Sequence, residues 1–140
     1  MDNTNTIKIV ENGLVIIVLF IIIIILYKPL TNMIEKVKIQ SAQESTRETI
    51  NMTKNYYMSL NLNEYVKLPL KIVFNEKSYK TYSNGIEYIP LKHIKIKGKL
   101  PESGSVEIKQ NGEIEISNLK FGKYICNRIN NSNEECIKEQ

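Results

Sequence analysis

Two patterns of apolar and polar residues divide the chain. Positions 12 to 27 carry no charge, and seven of these sixteen residues are Ile, including the run from Ile21 to Ile25. Beyond Pro69 the apolar residues come in short runs that alternate with polar ones and are broken by Asn-Gly. The first pattern predicts a membrane helix. A bilayer span takes about 20 apolar residues, and Ile9 and Val10 extend the run past Glu11. Tyr27 and Lys28 suit the headgroup region, where Lys28 can snorkel. The alternatives are a buried core helix and a cleaved signal peptide. A signal peptide starts basic and ends in small residues. Here the first six residues hold Asp2 and no Lys, and no Ala-x-Ala follows Tyr27, so a retained membrane helix is preferred.

Residues 30 to about 60 have no Gly or Pro and are rich in Glu, Lys, Gln, Met and Ile, which predicts a helix. Leu30, Ile34 and Val37 recur at helical spacing. So do Ile50, Tyr57 and Leu60, with Thr46 and Thr53 between them. Residues 40–48 are polar, which predicts exposure or polar partners. Pro29, at the junction, either kinks a continuous helix or starts a new one. In the rest of the chain the period becomes two. Residues 71–74, 78–82, 86–89 and 93–97 read as strands, with Asn84-Gly85 as a hairpin turn. In SGSVEIKQNGEIEI, Val106 and Ile108 alternate with Glu107 and Lys109, and Ile114 and Ile116 alternate with Glu113 and Glu115, around Asn111-Gly112. Leu119, Phe121, Tyr124 and Cys126 close the sheet around Gly122. Four to six antiparallel strands result, and a sheet that small needs a partner for its apolar face. Residues 50–60 of the helix are that partner. The expected class is α+β. Residues 1–11 form a short N-terminal segment, 12–28 the transmembrane helix, 29–62 its continuation, and 63–140 a sheet domain with a C-terminal cysteine loop.

The net charge of +4 is spread along the chain and gives no nucleic-acid footprint. No P-loop, GxGxxG, HExxH or CxxC is present. His93 is the only His and reads as a solvated strand residue. Glu107, Glu113 and Glu115 lie opposite Lys109 and read as a charged outer face. Lys92, Lys95, Lys97 and Lys99 form a basic patch. It either contacts DNA or another anionic polymer or blocks aberrant strand pairing, and the second reading is preferred. No catalytic residue, cofactor or metal is expected, and zinc would need more than two Cys and a distant His.

Cys126 and Cys136 flank a turn-rich, Asn-rich stretch. A disulfide there would pin the C-terminal tail to the last strand and stabilise by about 2–3 kcal/mol. It implies an oxidising compartment and an outward-facing domain. The lysines point the other way. Lys8 lies on one side of the apolar segment and Lys28, Lys36 and Lys38 on the other, which by the positive-inside rule puts the domain in the cytoplasm. Orientation stays open between these two arguments.

The order of elements resembles the type IV pilin and pseudopilin family: a short N-terminus, an apolar helix, an amphipathic continuation ending in NMTKNYYMSL, a small sheet and a cysteine loop. The likeness is closest in YIPLKHIKIKGKLPESGSVEIKQNGEIEISNLKFGKYIC, which looks like the sheet domain of pilin-like proteins from low-GC bacteria. The resemblance implies a structural subunit of a type IV pilus, or of a type II secretion or competence pseudopilus. The membrane would store it through its apolar helix. Leu14, Ile17, Ile21, Ile24 and Ile25 would pack in the filament core. Copies of itself or other pilin-like subunits, and a membrane assembly platform with its ATPase, would be the partners. The family's Lys/Arg-Gly cleavage site followed by Phe-Thr-Leu-Ile-Glu is missing. The only early Gly is Gly13, with Val18 where the family's glutamate would fall. Glu11 stands 18 positions before Pro29, close to the family's spacing between its glutamate and its helix proline. On that alignment Ile7 lies near the mature N-terminus and Thr6 replaces Gly. Glu11 would pair with a neighbour's free amine, or with Lys8 in an uncut chain, and Pro29 would let the helix bend on assembly. The competing classes are a single-pass anchored binding module that does not polymerise and a cytoplasm-facing regulator or scaffold.

Overall fold

A computed structural model describes the backbone of residues 3–63, 65–76, 78–90, 95–98, 100–128 and 133–139, and their side chains except at 3–10 and 63. The chain divides into two units, residues 1–38 and 39–140. One helix, α1 (Asn3–Asn63), contains all of the first unit's described residues and enters the second. Pro29 lies inside it, so the helix neither ends nor restarts there. The Thr31 hydroxyl donates to the Lys28 and Tyr27 carbonyls, at 2.9 and 3.1 Å, one turn back.

The second unit adds seven strands among the described residues: β1 (Leu70–Asn75), β2 (Ser78–Ser83), β3 (Ile86–Tyr88), β4 (Ser103–Ile108), β5 (Ile114–Phe121), β6 (Tyr124–Arg128) and β7 (Glu135–Lys138). They form one antiparallel sheet in the order β3-β2-β1-β4-β5-β6-β7. The fold is α+β, as the sequence predicts, but the sheet is larger than the expected four to six strands. The added strand is β7, hidden in the polar tail. Of the expected strand at 93–97, His93 and Ile94 lie outside the described residues, and 95–97 form no strand. There the Ile96 N–H donates to the Tyr79 hydroxyl at 2.9 Å rather than to a neighbouring strand.

Turn chemistry fixes the register. Asn84 and Gly85 both have positive φ, 50° and 80°, and join the paired residues Ser83 and Ile86 in two residues. At Asn111-Gly112 only Gly112 has positive φ, at 82°. The Lys109 N–H donates to the Glu113 carbonyl and the Gly112 N–H to the Lys109 carbonyl. That makes a three-residue loop with glycine in the left-handed position, not the two-residue turn the dipeptide suggests.

Period-two burial puts Leu70, Ile72, Phe74, Val106, Ile108, Ile114, Ile116, Leu119 and Tyr124 in one core cluster with residues of α1. The helix contributes Ala42, Ile50, Tyr56 and Leu60, and Thr46, Thr49 and Thr53 are buried along the same stretch. Tyr57 packs half-buried against this cluster, as the spacing with Ile50 and Leu60 predicts, and its neighbour Tyr56 is the fully buried aromatic. The Tyr56 hydroxyl hydrogen-bonds the Thr81 hydroxyl at 3.2 Å, and its ring meets Tyr79 edge-on at 5.8 Å. Residues 40–48 are not simply a solvated stretch: Ala42 and Thr46 are buried.

The threonine stripe yields a test. Thr46 and Thr49 donate to the Ala42 and Ser45 carbonyls, at 2.9 and 2.8 Å. The buried Thr53 hydroxyl has no hydrogen-bond partner among the described residues. A methyl of the same shape removes that desolvation cost, so Thr53→Val is expected to stabilise by about 1 kcal/mol and raise Tm by a few degrees. Thr46→Val and Thr49→Val should not, because each also removes a bond. Thermal melts of the three variants check this. A Thr53→Val melt at or below the wild-type value would remove the orphan-hydroxyl account.

Candidate functional site

The apolar stretch of α1 lies in the first unit. Leu14, Ile17, Ile21, Ile24 and Ile25 are each at least half exposed, Ile24 the most at 68%. No described residue of the first unit covers these side chains. Burying a large aliphatic side chain is worth about 1.5–3 kcal/mol. A face of Ile, Leu, Val and Phe without cover in the chain therefore needs lipid or another polypeptide. The helix is long and apolar enough to cross a membrane. Glu11 is exposed at the start of this stretch, and Tyr27 and Lys28 are exposed at its end. Lys8 is in the helix, but its side chain is outside the described residues.

In the second unit the sheet ends in a cross-linked corner. Cys126 and Cys136 are register partners on β6 and β7 and form a disulfide, as the sequence predicts. Beside it, Glu134 is held by both of the chain's arginines. Arg128 Nη1 lies 3.3 Å from Oε1 and Arg47 Nε lies 3.3 Å from Oε2. The Gln43 amide also donates to the Glu134 carbonyl at 3.2 Å. Glu134 has only 9% of its side chain exposed and Arg128 18%, while Arg47 is open at 65%. The Arg128 pair is thus the partly desolvated one, and Arg47 adds a more screened contact. Glu134, Arg47 and Arg128 had no place in the sequence-level site. One signal was available: of 19 basic residues only these two are Arg. Arg is suited to partly buried pairing with a carboxylate, where lysine is a strongly hydrated point charge.

On the hairpin face, Glu107 and Glu115 are register partners. Lys109 Nζ sits 2.6 Å from Glu115. The hydrogen bond that Lys109 donates to Glu115 raises the Lys109 pKa above its usual value. Lys109 stands among the carboxylates Glu107, Glu113 and Glu115 on this face. His93, Lys92 and Lys99 lie outside the described residues. Lys95 and Lys97 are exposed and line a cleft with Met52, Asn55 and Ser59 of α1. Among the described residues no group of three or more His, Cys, Asp or Glu could hold a metal ion.

These features define an α+β protein of pilin-like architecture, a long helix with an apolar N-terminal part and a second part packed on an antiparallel sheet. No family model, curated protein or solved structure matches the chain.

Proposed function

We propose that the chain is a structural subunit of a type IV pilus-like or pseudopilus filament. It is stored in the membrane as a single-pass protein and assembled through its apolar helix with copies of itself or other pilin-like subunits. The observation that carries this reading is the uncovered apolar face of residues 14–26, continuous in α1 with a segment that packs on a disulfide-closed sheet. Moving such a helix from lipid to a bundle of like helices exchanges one apolar surrounding for another, so extraction costs little hydrophobic free energy. The disulfide supports an outward-facing sheet domain over the cytoplasmic orientation that the lysine count favours. Within a bundle Glu11 would be desolvated, and an isolated buried charge is very costly. A neighbour's N-terminal amine, or Lys8, supplies the partner. The role is that of a building block driven by an assembly platform and its ATPase, without a reaction of its own.

Glu11→Ala is expected to leave the chain in the membrane fraction and remove it from sheared surface filaments. Shearing followed by immunoblotting of both fractions reads this, and intact mass shows whether the N-terminus is cut near Ile7 or Gly13. Normal incorporation of the variant would take Glu11 out of the mechanism. The competing reading is an anchored binding module that never polymerises. The lysine-lined cleft favours it, and the absence of the wild-type chain from every sheared fraction would select it.

A further inference from the structure

We propose that the cleft between α1 and residues 95–98 binds phosphodiester groups of an anionic polymer. The cleft lies against the connection from β3 to β4. β3 is at one edge of the sheet, and β2 and β1 stand between it and β4, the next strand in the chain. The described part of this connection is held in place at two points. The Ile96 N–H donates to the Tyr79 hydroxyl at 2.9 Å, and Tyr79 is itself set edge-on against Tyr56. Gly98, at φ 127°, packs so closely on Met52 that a Cβ there would collide with the Met52 sulfur. Ile96 packs on the core between these points, while Lys95 and Lys97 on either side of it are exposed. The cleft they line has a volume of about 390 Å³.

The lining chemistry selects the ligand. Lys95 and Lys97 line the cleft together with Asn55, Ser59, Met52, Tyr56 and Ile96, and no carboxylate is among its described lining residues. Lysine binds phosphate as a point charge with three donors and needs no planar acceptor. The preferred reading of these lysines as guards of a strand edge loses its basis, because 95–97 do not form a strand. Two lysines on a pinned segment lose less freedom on binding than two on a mobile loop. Single-stranded DNA and a poly(glycerol phosphate) wall polymer share the phosphodiester, and the experiment separates them. The inference is independent of filament assembly.

The test uses the full chain in micelles of a neutral detergent, where it is not polymerised. Binding of fluorescent oligothymidylate and of poly(glycerol phosphate) is read by anisotropy and competition across a salt series, with polyglutamate as the carboxylate control. Lys95→Gln with Lys97→Gln is expected to weaken phosphodiester binding about tenfold and to lower the log–log salt slope by about 1.4, two contacts at roughly 0.7 each. Lys36→Gln with Lys38→Gln makes the same change in net charge in the other unit and should stay within twofold of wild type. Loss confined to the first pair supports the cleft, and the polymer that shows it identifies the source. An equal loss in both pairs, polyglutamate binding as tight as phosphodiester binding, or no binding at low salt would each overturn it.

Discussion

A chain carrying both Ile21→Lys and Ile24→Lys is expected to leave the membrane fraction, whereas either substitution alone leaves it there. On an insertion scale, Leu, Ile, Phe and Val near a helix centre each favour insertion by about 0.3–0.6 kcal/mol. Residues 14–26, all of these four types, together contribute roughly 4–8 kcal/mol. One lysine in place of isoleucine costs roughly 3–4 kcal/mol, which the rest of the segment outweighs. Two cost roughly 6–8 kcal/mol, which it does not. Ile34→Lys with Val37→Lys, beyond Lys28, should change nothing although those side chains are also exposed apolar residues. Alkaline extraction of membranes reads the partition. The sheet fold is an internal control, because Ile21 and Ile24 are 50% and 68% exposed and take no part in the core cluster. A double variant that stays in the membrane would show that the segment is held by something other than its apolar side chains.

The parts of the fold that the sequence revealed are those in which one local rule decides the outcome. The uncharged Ile-rich run, the alternation of Val106, Ile108, Ile114 and Ile116, and the two Asn-Gly turns each specify an element without help from distant residues. The parts it hid depend on tertiary contacts. β7 is four residues with Cys136 half-buried and Ile137 exposed, so no periodicity announces it. It exists because Cys126 and Glu134 tie it to β6 and α1. Residues 95–97 alternate as a strand would, yet the sheet already has β2 and β4 beside β1, and Tyr79 takes the Ile96 N–H. Thr46 and Thr53 read as spacers between apolar residues and are core together with Thr49, and Thr46 and Thr49 satisfy their hydroxyls on the preceding helical turn. The proposed sites follow the same division. Glu11, Pro29 and the isoleucines are read from pattern alone, whereas the arginine-clamped Glu134 and the cleft beside Met52 require the fold.

Removing the disulfide by Cys126→Ala with Cys136→Ala is expected to destabilise the second unit by about 3 kcal/mol and lower its Tm by roughly 10 °C. The cysteines are 10 positions apart in the chain. By the chain-entropy account, closing a loop of that size in the unfolded chain is worth about 2.5–3 kcal/mol. Cys126 is fully buried, so the alanine also leaves a small void that adds to the loss. Reduction of the wild-type protein removes the closure but not the sulfur atoms, and should give a slightly smaller shift. The effect should be local. β1 and β4 pair with each other in the middle of the sheet, while β7 has only β6 as a strand neighbour. Amide exchange should therefore speed up along β6 and β7 and stay slow in β1 and β4. The tail should still dock, because the contacts of Arg128 and Arg47 with Glu134, 3.3 Å in the disulfide-bonded chain, involve neither cysteine. A Tm within about 2 °C of wild type would mean that this carboxylate, and not the covalent bond, closes the end of the sheet. The redox state of Cys126 and Cys136 in cells, and not this Tm, bears on which side of the membrane the domain lies.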